Sequence, residues 1–362
     1  MKKILALLKH VFDINQARGK LSFILLAIVY LIGIFDYARV HFKTNDKLPE
    51  FQPINTEAIK KLGTFAVRVR TGLFIKKFIV FDVINNRFVI DAVVWFEYNP
   101  DEIMLTTIEK FSFDNGKILS LSSPDVKIIG AEAFAKYNVI FELTTDLQFN
   151  KFPFEDHTLP IMMTNNFVTP EEMYYMVDAS SFRMDAKFLS NWRIVDLNVD
   201  HGFTRLALDE ENASKKAESP KALFVMNIAK ASIKPTMVIF IPLFATTIFS
   251  LVSFIMKLSN TIGRFTLAVS AVTALLGYRF VLEQMMPKVG YFTTADAIYI
   301  FLLIFSFICF LFQLMITRQA EHSDDEKKKE PHLLANLHRI NNIFFIAMLL
   351  LLIIVISFIM LR

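Results

Sequence analysis

The residues best placed to meet ions or water lie in one apolar run. From Asn260 to Pro287 the chain reads N-T-I-G-R-F-T-L-A-V-S-A-V-T-A-L-L-G-Y-R-F-V-L-E-Q-M-M-P. The part from Phe265 to Met286, about 22 residues, can cross a bilayer as one helix. Within it Thr266, Ser270, Thr273 and Gly277 recur at helical spacing and share one face, which Phe280 and Gln284 extend. The other faces carry Leu267, Val269, Val272, Leu275, Leu276 and Val281. Two readings of this stripe compete. Small residues let neighbouring helices approach closely, which is packing. Hydroxyls turned to an axis can instead line a wet pore and pass ions.

Other chemistry has little support. The chain contains no GxGxxG, P-loop, HExxH or CxxC pattern. Its His residues are scattered without ligand-like spacing, so no metal or cofactor is expected. Cys309 is the single cysteine, which excludes an intramolecular disulfide. No nucleophile–base pair or acid pair is recognisable, and an enzyme is not expected. A net charge of +4 gives no reason to invoke nucleic acid. At 54% hydrophobic residues and a mean hydropathy of +0.43, the chain is too apolar for an ordinary soluble protein. Several membrane spans are expected.

The elements that must hold the striped helix follow in order. Residues 1–20 form a basic leader with Lys2, Lys3, Lys9, Arg18 and Lys20. Residues 21–38 are apolar. A cleaved signal peptide competes with an uncleaved anchor. Ala38 after Asp36 and Tyr37 makes a poor cleavage site, which favours a signal-anchor helix with a cytoplasmic N-terminus. Residues 39–232 contain no spanning run. They alternate short β-branched and aromatic runs with turns such as Asn85-Asn86 and Asp114-Asn115-Gly116, which predicts an antiparallel β-sandwich. Strands are expected at Phe65–Arg70, Phe78–Asp82, Phe88–Phe96, Lys136–Leu143, Leu159–Met163, Trp192–Val199 and Leu223–Ile228. The polar stretch Asp209–Pro220 is expected at an exposed hairpin tip. Residues 233–362 should form a four-helix membrane bundle with spans at 236–256, 265–286, 297–316 and 343–361. The cationic links Lys257–Arg264 and Thr317–Ile340 are expected in the cytoplasm. The sandwich then lies outside it, as an extracytoplasmic domain. The fold class is therefore a mixed β and α membrane protein: a sandwich, a four-helix bundle and an extra N-terminal helix.

This order of parts resembles the pentameric ligand-gated ion channels, the Cys-loop receptor superfamily, and especially prokaryotic members without the loop disulfide. Phe152-Pro153-Phe154-Glu155-Asp156-His157-Thr158-Leu159 is similar to the family's loop pattern F-P-F-D-x-Q-x-C, with Thr145 and Leu159 where the cysteines would stand. Lys230, ahead of Pro242, stands near the place of a family Arg that pairs with the loop acid. The resemblance makes Glu155–Lys230 a candidate pair, which Asp82 could join. The striped helix begins at Arg264 and ends at Pro287 at the family's spacing. Pro287 to Asp296 is similar to the loop before the third bundle helix. Trp192 is a weaker match.

The resemblance implies a homopentamer in lipid whose central pore passes inorganic ions. Its wall would be Thr266, Ser270, Thr273, Gly277, Phe280 and Gln284, with Arg264 and Glu283 at the mouths. Phe152, Pro153, Phe154, Glu155, Lys230, Pro287 and Asp296 would couple the sandwich to it. An unknown small-molecule or proton agonist would act on the sandwich. Thr273 and Gly277 stand where relatives carry apolar rings, and Phe280 could supply the constriction instead. No acid lies near the cytoplasmic mouth, and Arg279, four residues before Glu283, could neutralise it. Trp95, Tyr98, Tyr174, Tyr175 and Trp192 are available for an agonist box, but core packing suits each better. The rival reading is a non-conducting membrane sensor or scaffold that keeps the channel fold.

Overall fold

The computed structural model describes residues 13–41, 46–54, 66–185, 188–189, 191–207, 216–326 and 331–361. It divides into a strand-rich unit, Lys43–Gln148 with Glu155–Ser232, and a helical unit, Met1–Phe42 and Ile233–Arg362 joined by the short segment Phe149–Phe154.

The strand-rich unit is built on alternation. In β3 (Arg87–Tyr98) and β7 (Glu132–Leu143) every second side chain turns inward, including Ile90, Val94 and Phe96 on β3 and Tyr137, Phe141 and Leu143 on β7. They pair antiparallel, with Ile90 opposite Phe141 and Val94 opposite Tyr137. β2 (Val67–Asp82), β5 (Gly116–Leu121), β6 (Asp125–Ile129), β9 (Met173–Met176) and β10 (Phe182–Met184) complete this sheet. The second sheet runs β1 (Gln52–Pro53), β12 (Trp192–Ala207), β13 (Lys216–Lys230), β8 (His157–Thr164), β4 (Ser112–Phe113), with β11 (Phe188–Leu189) beside β12. Rings join the two layers. Phe113 stacks on Phe141 at 4.0 Å, and Phe182 meets Phe224 at 5.4 Å.

Three expectations change here. Two strands foreseen at Phe65–Arg70 and Phe78–Asp82 are parts of the single β2, with Phe65 itself outside the described residues. Bulges at Ile75/Lys77 and Phe78/Val80 shift the pairing, and that broke the alternation the reading relied on. The sandwich is not wholly antiparallel, because β9 and β10 run parallel to β2 along one edge. Lys216–Pro220 are strand rather than hairpin tip, since β12 and β13 stay paired out to Ala207 and Lys216. The rest of the foreseen tip lies outside the described residues.

Among the described residues, the helical unit contains five helices long and apolar enough to cross a membrane. They are α1 (Ala17–His41), α3 (Lys234–Val252), α4 (Thr261–Met285), α5 (Thr294–Glu326) and α6 (Pro331–Leu361); α2 (Leu105–Ile108) is one turn in the other unit. The foreseen charged link after the third span is mostly helix, with Pro331 at the first position of α6. There its missing N–H breaks no bond. Lys327, Lys328 and Lys329 lie outside the described residues.

Pro242 stands inside α3 and cannot donate to the carbonyl of Val238 four residues earlier. In hydrocarbon such an orphan needs a partner. The Tyr278 hydroxyl of α4 supplies it, 3.0 Å from Val238 O and 3.1 Å from Ile239 O. Tyr278→Phe should therefore destabilise the bundle by roughly 0.5–2 kcal/mol. Adding Pro242→Ala should recover part of that loss, because the helix can again bond to Val238 O. Melting of the four proteins in detergent measures the coupling, and additive effects would remove this explanation.

Candidate functional site

The stripe and the packing face of α4 lie on opposite sides. Arg264, Ala268, Ala271, Leu275 and Leu282 are buried. Thr266, Ser270, Thr273, Gly277, Phe280 and Gln284 are all exposed in the protomer, Phe280 at 72%. α3 and α5 pack against α4. Close approach on that side falls to Ala268 and Ala271, not to the stripe. A Cβ added to Gly277 would meet nothing within 4 Å, so no neighbour within the protomer requires glycine there. Among the described residues the hydroxyls of Thr266, Ser270 and Thr273 make no hydrogen bond. Packing within the chain does not account for the stripe.

The helix begins at Asn260, whose side chain accepts from Gly263 N at 3.1 Å. It ends where Pro287 forces Met286 into extended backbone. Arg264, expected at the mouth with the stripe, is not there. Two residues before Thr266 is about 200° round the helix. Its guanidinium is 1% exposed and bonds to Gln313 Oε1 at 2.7 and 3.0 Å, Asn341 Oδ1 at 2.5 Å and Met256 O at 3.2 Å. Its position at the start of the helix suggested a mouth, but its angular position sets it on the packing side. At the other end Glu283 is paired with Arg279 at 2.8 Å, and Arg279 also holds Asp296 at 2.9 Å.

Asp296 anchors the start of α5. Thr293 and Asp296 form a reciprocal cap, with Asp296 Oδ2 accepting from Thr293 N at 3.1 Å and Thr293 Oγ1 accepting from Asp296 N at 3.2 Å. The next two N–H groups need acceptors as well. Thr294 N donates to Asn150 O and Ala295 N to Phe152 O, both at 3.0 Å. Phe149 N donates to the Tyr291 hydroxyl at 2.8 Å, and Thr236 Oγ1 to Pro153 O at 3.4 Å. The Phe154 ring stacks on Phe240 at 5.5 Å. Thus Phe152, Pro153, Phe154 and Asp296 share one assembly, built largely from backbone bonds that no side-chain pattern encodes. Tyr291 and Asn150 were not foreseen.

Glu155 and Lys230 belong to a buried constellation of the strand-rich unit. Asp46 accepts from Gln148 N at 2.7 Å and Thr158 N at 2.8 Å, and its Oδ2 lies 3.1 Å from His157 Nδ1. His157 Nε2 faces Glu155 Oε1 at 3.7 Å. Glu155 is 0% exposed and its carboxyl oxygens accept no hydrogen bond. Burial pushes its pKa up, against the pull of Lys230 and His157. Burial pushes Lys230 down, against Glu155 and Asp156. The Lys230 ammonium lies 5.5 Å from the centre of the Trp192 ring. His157 thus stands between two carboxyl groups, Asp46 on its Nδ1 side and Glu155 on its Nε2 side. Asp46 and His157 were missed as partners, since Asp46 is distant in sequence. Asp82, a foreseen third member, instead binds Asn85 N at 3.0 Å within its own turn.

The aromatics do not gather into a box. Tyr98, Tyr174 and Tyr175 are buried at 4%, 9% and 0% exposure. Trp95 stacks on Phe134 at 5.8 Å.

Over 167 residues the chain is 25% identical to the gamma-aminobutyric acid receptor subunit gamma-3 of Homo sapiens. The match covers 46% of this chain and 33% of that subunit. No protein-family model matches the chain. The chain thus spans about a third of the length of that subunit.

The buried acid sets a pH dependence. Folding raises the Glu155 pKa above its ordinary 4.5, so its stabilising contribution is full below that value. It fades as pH rises through the folded value. The lowered pKa of Lys230 acts oppositely: its contribution is full above the ordinary 10.5 and declines as pH falls through the folded value. As pH rises above 4.5, Glu155→Gln should therefore melt with a flatter pH dependence than wild type. Equal slopes for the two proteins would remove Glu155 from this role.

Proposed function

We propose that this chain is one subunit of a pentameric ligand-gated ion channel, with the exposed stripe of α4 facing a central, water-filled axis. The observation that carries the reading is the split of α4 itself. Its hydroxyls are left without partners in the protomer, while its small and apolar residues pack against α3 and α5. Five copies would bring Thr266, Ser270 and Thr273 into rings, with Phe280 as the apolar constriction beyond them. The distant similarity to a receptor subunit supports the same reading.

Coupling would run through named bonds. The sandwich is continuous in sequence with Phe149–Phe154, and that segment's carbonyls hold the first N–H groups of α5. Asp296 in the same turn holds Arg279 on α4. A stimulus that moves the segment would bias two arrangements of this chain of bonds and tilt the pore helix. The Asp46–His157–Glu155 constellation supports a proton as one such stimulus, because adding or removing its proton changes a buried charge. The sandwich would lie outside the cytoplasm and the N-terminus within it, following the basic residues near α1.

Flux from purified protein in liposomes, across pH and a panel of small molecules, tests the proposal. Wild type should conduct under some condition. Ser270→Trp should abolish the flux, and Thr266→Cys should become blockable by a water-soluble thiol reagent. Flux unaffected by both changes would exclude α4 as the pore wall. A pentamer without flux under any stimulus would favour the scaffold reading.

A further inference from the structure

The polar end of the bundle holds an unusual concentration of positive charge. Lys20 of α1 is 6% exposed, and its Nζ donates to Phe254 O at 2.9 Å. Asn341 Nδ2 shares that carbonyl at 3.3 Å, while Asn341 Oδ1 holds Arg264. Every partner of these two cations is a neutral oxygen: Phe254 O, Met256 O, Gln313 and Asn341. Among the described residues neither makes an ion pair. Arg18, His338 and Arg339 are exposed on the same ends of α1 and α6, which are tied by Asn342 Nδ2 to Asn15 Oδ1 at 3.0 Å. Buried charges without a counter-charge are costly.

A groove of about 350 Å³ leads away from this end between α1, α3 and α6. Its walls include Ile24, Leu31, Phe244, Leu251, Leu349 and Leu352. Lining Thr247 turns its hydroxyl back to Leu243 O at 2.8 Å, so the walls are apolar. At the end of each of the three helices the Lys20 ammonium lies about one turn past the groove. Lys20 is one turn before Ile24. Phe254, whose carbonyl it binds, is one turn after Leu251. Phe345, whose ring centre is 5.7 Å from Nζ, is one turn before Leu349. The cationic end therefore lies about one helical turn beyond the apolar groove: charge at one end, hydrocarbon along the rest.

We propose that this feature is a site for an anionic phospholipid, with its phosphate at Lys20 and an acyl chain in the groove. α1 supplies both the ammonium and one wall, so the helix that adds a span to the four-helix bundle also makes the site. Lys20 has donors beyond the one given to Phe254 O, and Arg264 behind it reinforces the attraction without touching the headgroup. The inference requires only that the helices lie in a membrane, and it stands whether or not the protein conducts.

The test uses full-length protein in neutral detergent, stripped of lipid. It is titrated with phosphatidylglycerol and with phosphatidylcholine of identical chains, and retained lipid is counted by native mass spectrometry. Phosphatidylglycerol should be retained on the order of fivefold more tightly. Lys20→Gln should lose that preference while keeping the weaker retention of both lipids. Ile28→Trp, which fills the groove, should weaken both. Inorganic phosphate at matched concentration should not displace phosphatidylglycerol. Equal retention of the two lipids by wild type would overturn the site. So would a preference that survives Lys20→Gln, displacement by inorganic phosphate, or undiminished retention in Ile28→Trp. The last remains decisive if Lys20→Gln fails to fold.

Discussion

One helix, α4, carries two unlike faces, and its neighbours in the helical unit pack against only one of them. Inside a bilayer no hydrophobic force draws helices together, so association rests on close packing and specific polar contacts. α4 meets this with Ala268 and Ala271, which are 0% exposed, and with Leu275 and Leu282 on the same side. What is left over is a row of hydroxyls and a glycine with no work to do inside the protomer.

The polar contacts that hold this helix are few and each repairs a definite defect. Pro242 removes a donor from α3, and Tyr278 replaces it. The first turn of α5 has donors without acceptors, and the backbone of Asn150 and Phe152 accepts from them. Arg279 joins Asp296 to α4. Arg264 is surrounded by neutral oxygens instead of carboxylates.

In the strand-rich unit the analogous tension lies at Glu155. A carboxyl without hydrogen bonds in a dry interior favours its neutral form. The nearby ammonium of Lys230, itself buried, pulls the other way. The pair foreseen from the loop pattern is therefore one part of a larger arrangement in which His157 stands between two acids. Alternation along β3 and β7 made the sheet core legible, yet the bulges of β2 hid one long strand as two.

Sequence alone determined the spans, the alternating strands and the membership of the stripe. Each is a local periodicity imposed by helix or strand geometry, and a bilayer or a core accepts only the matching pattern. Only the tertiary structure decided what each face meets. It turned Arg264 inward to Gln313 and Asn341, brought Asp46 to His157, and set α1 beside α3 and α6. Those meetings join residues far apart in the chain. Their energy comes from mutual packing and paired polar groups, which no single segment carries.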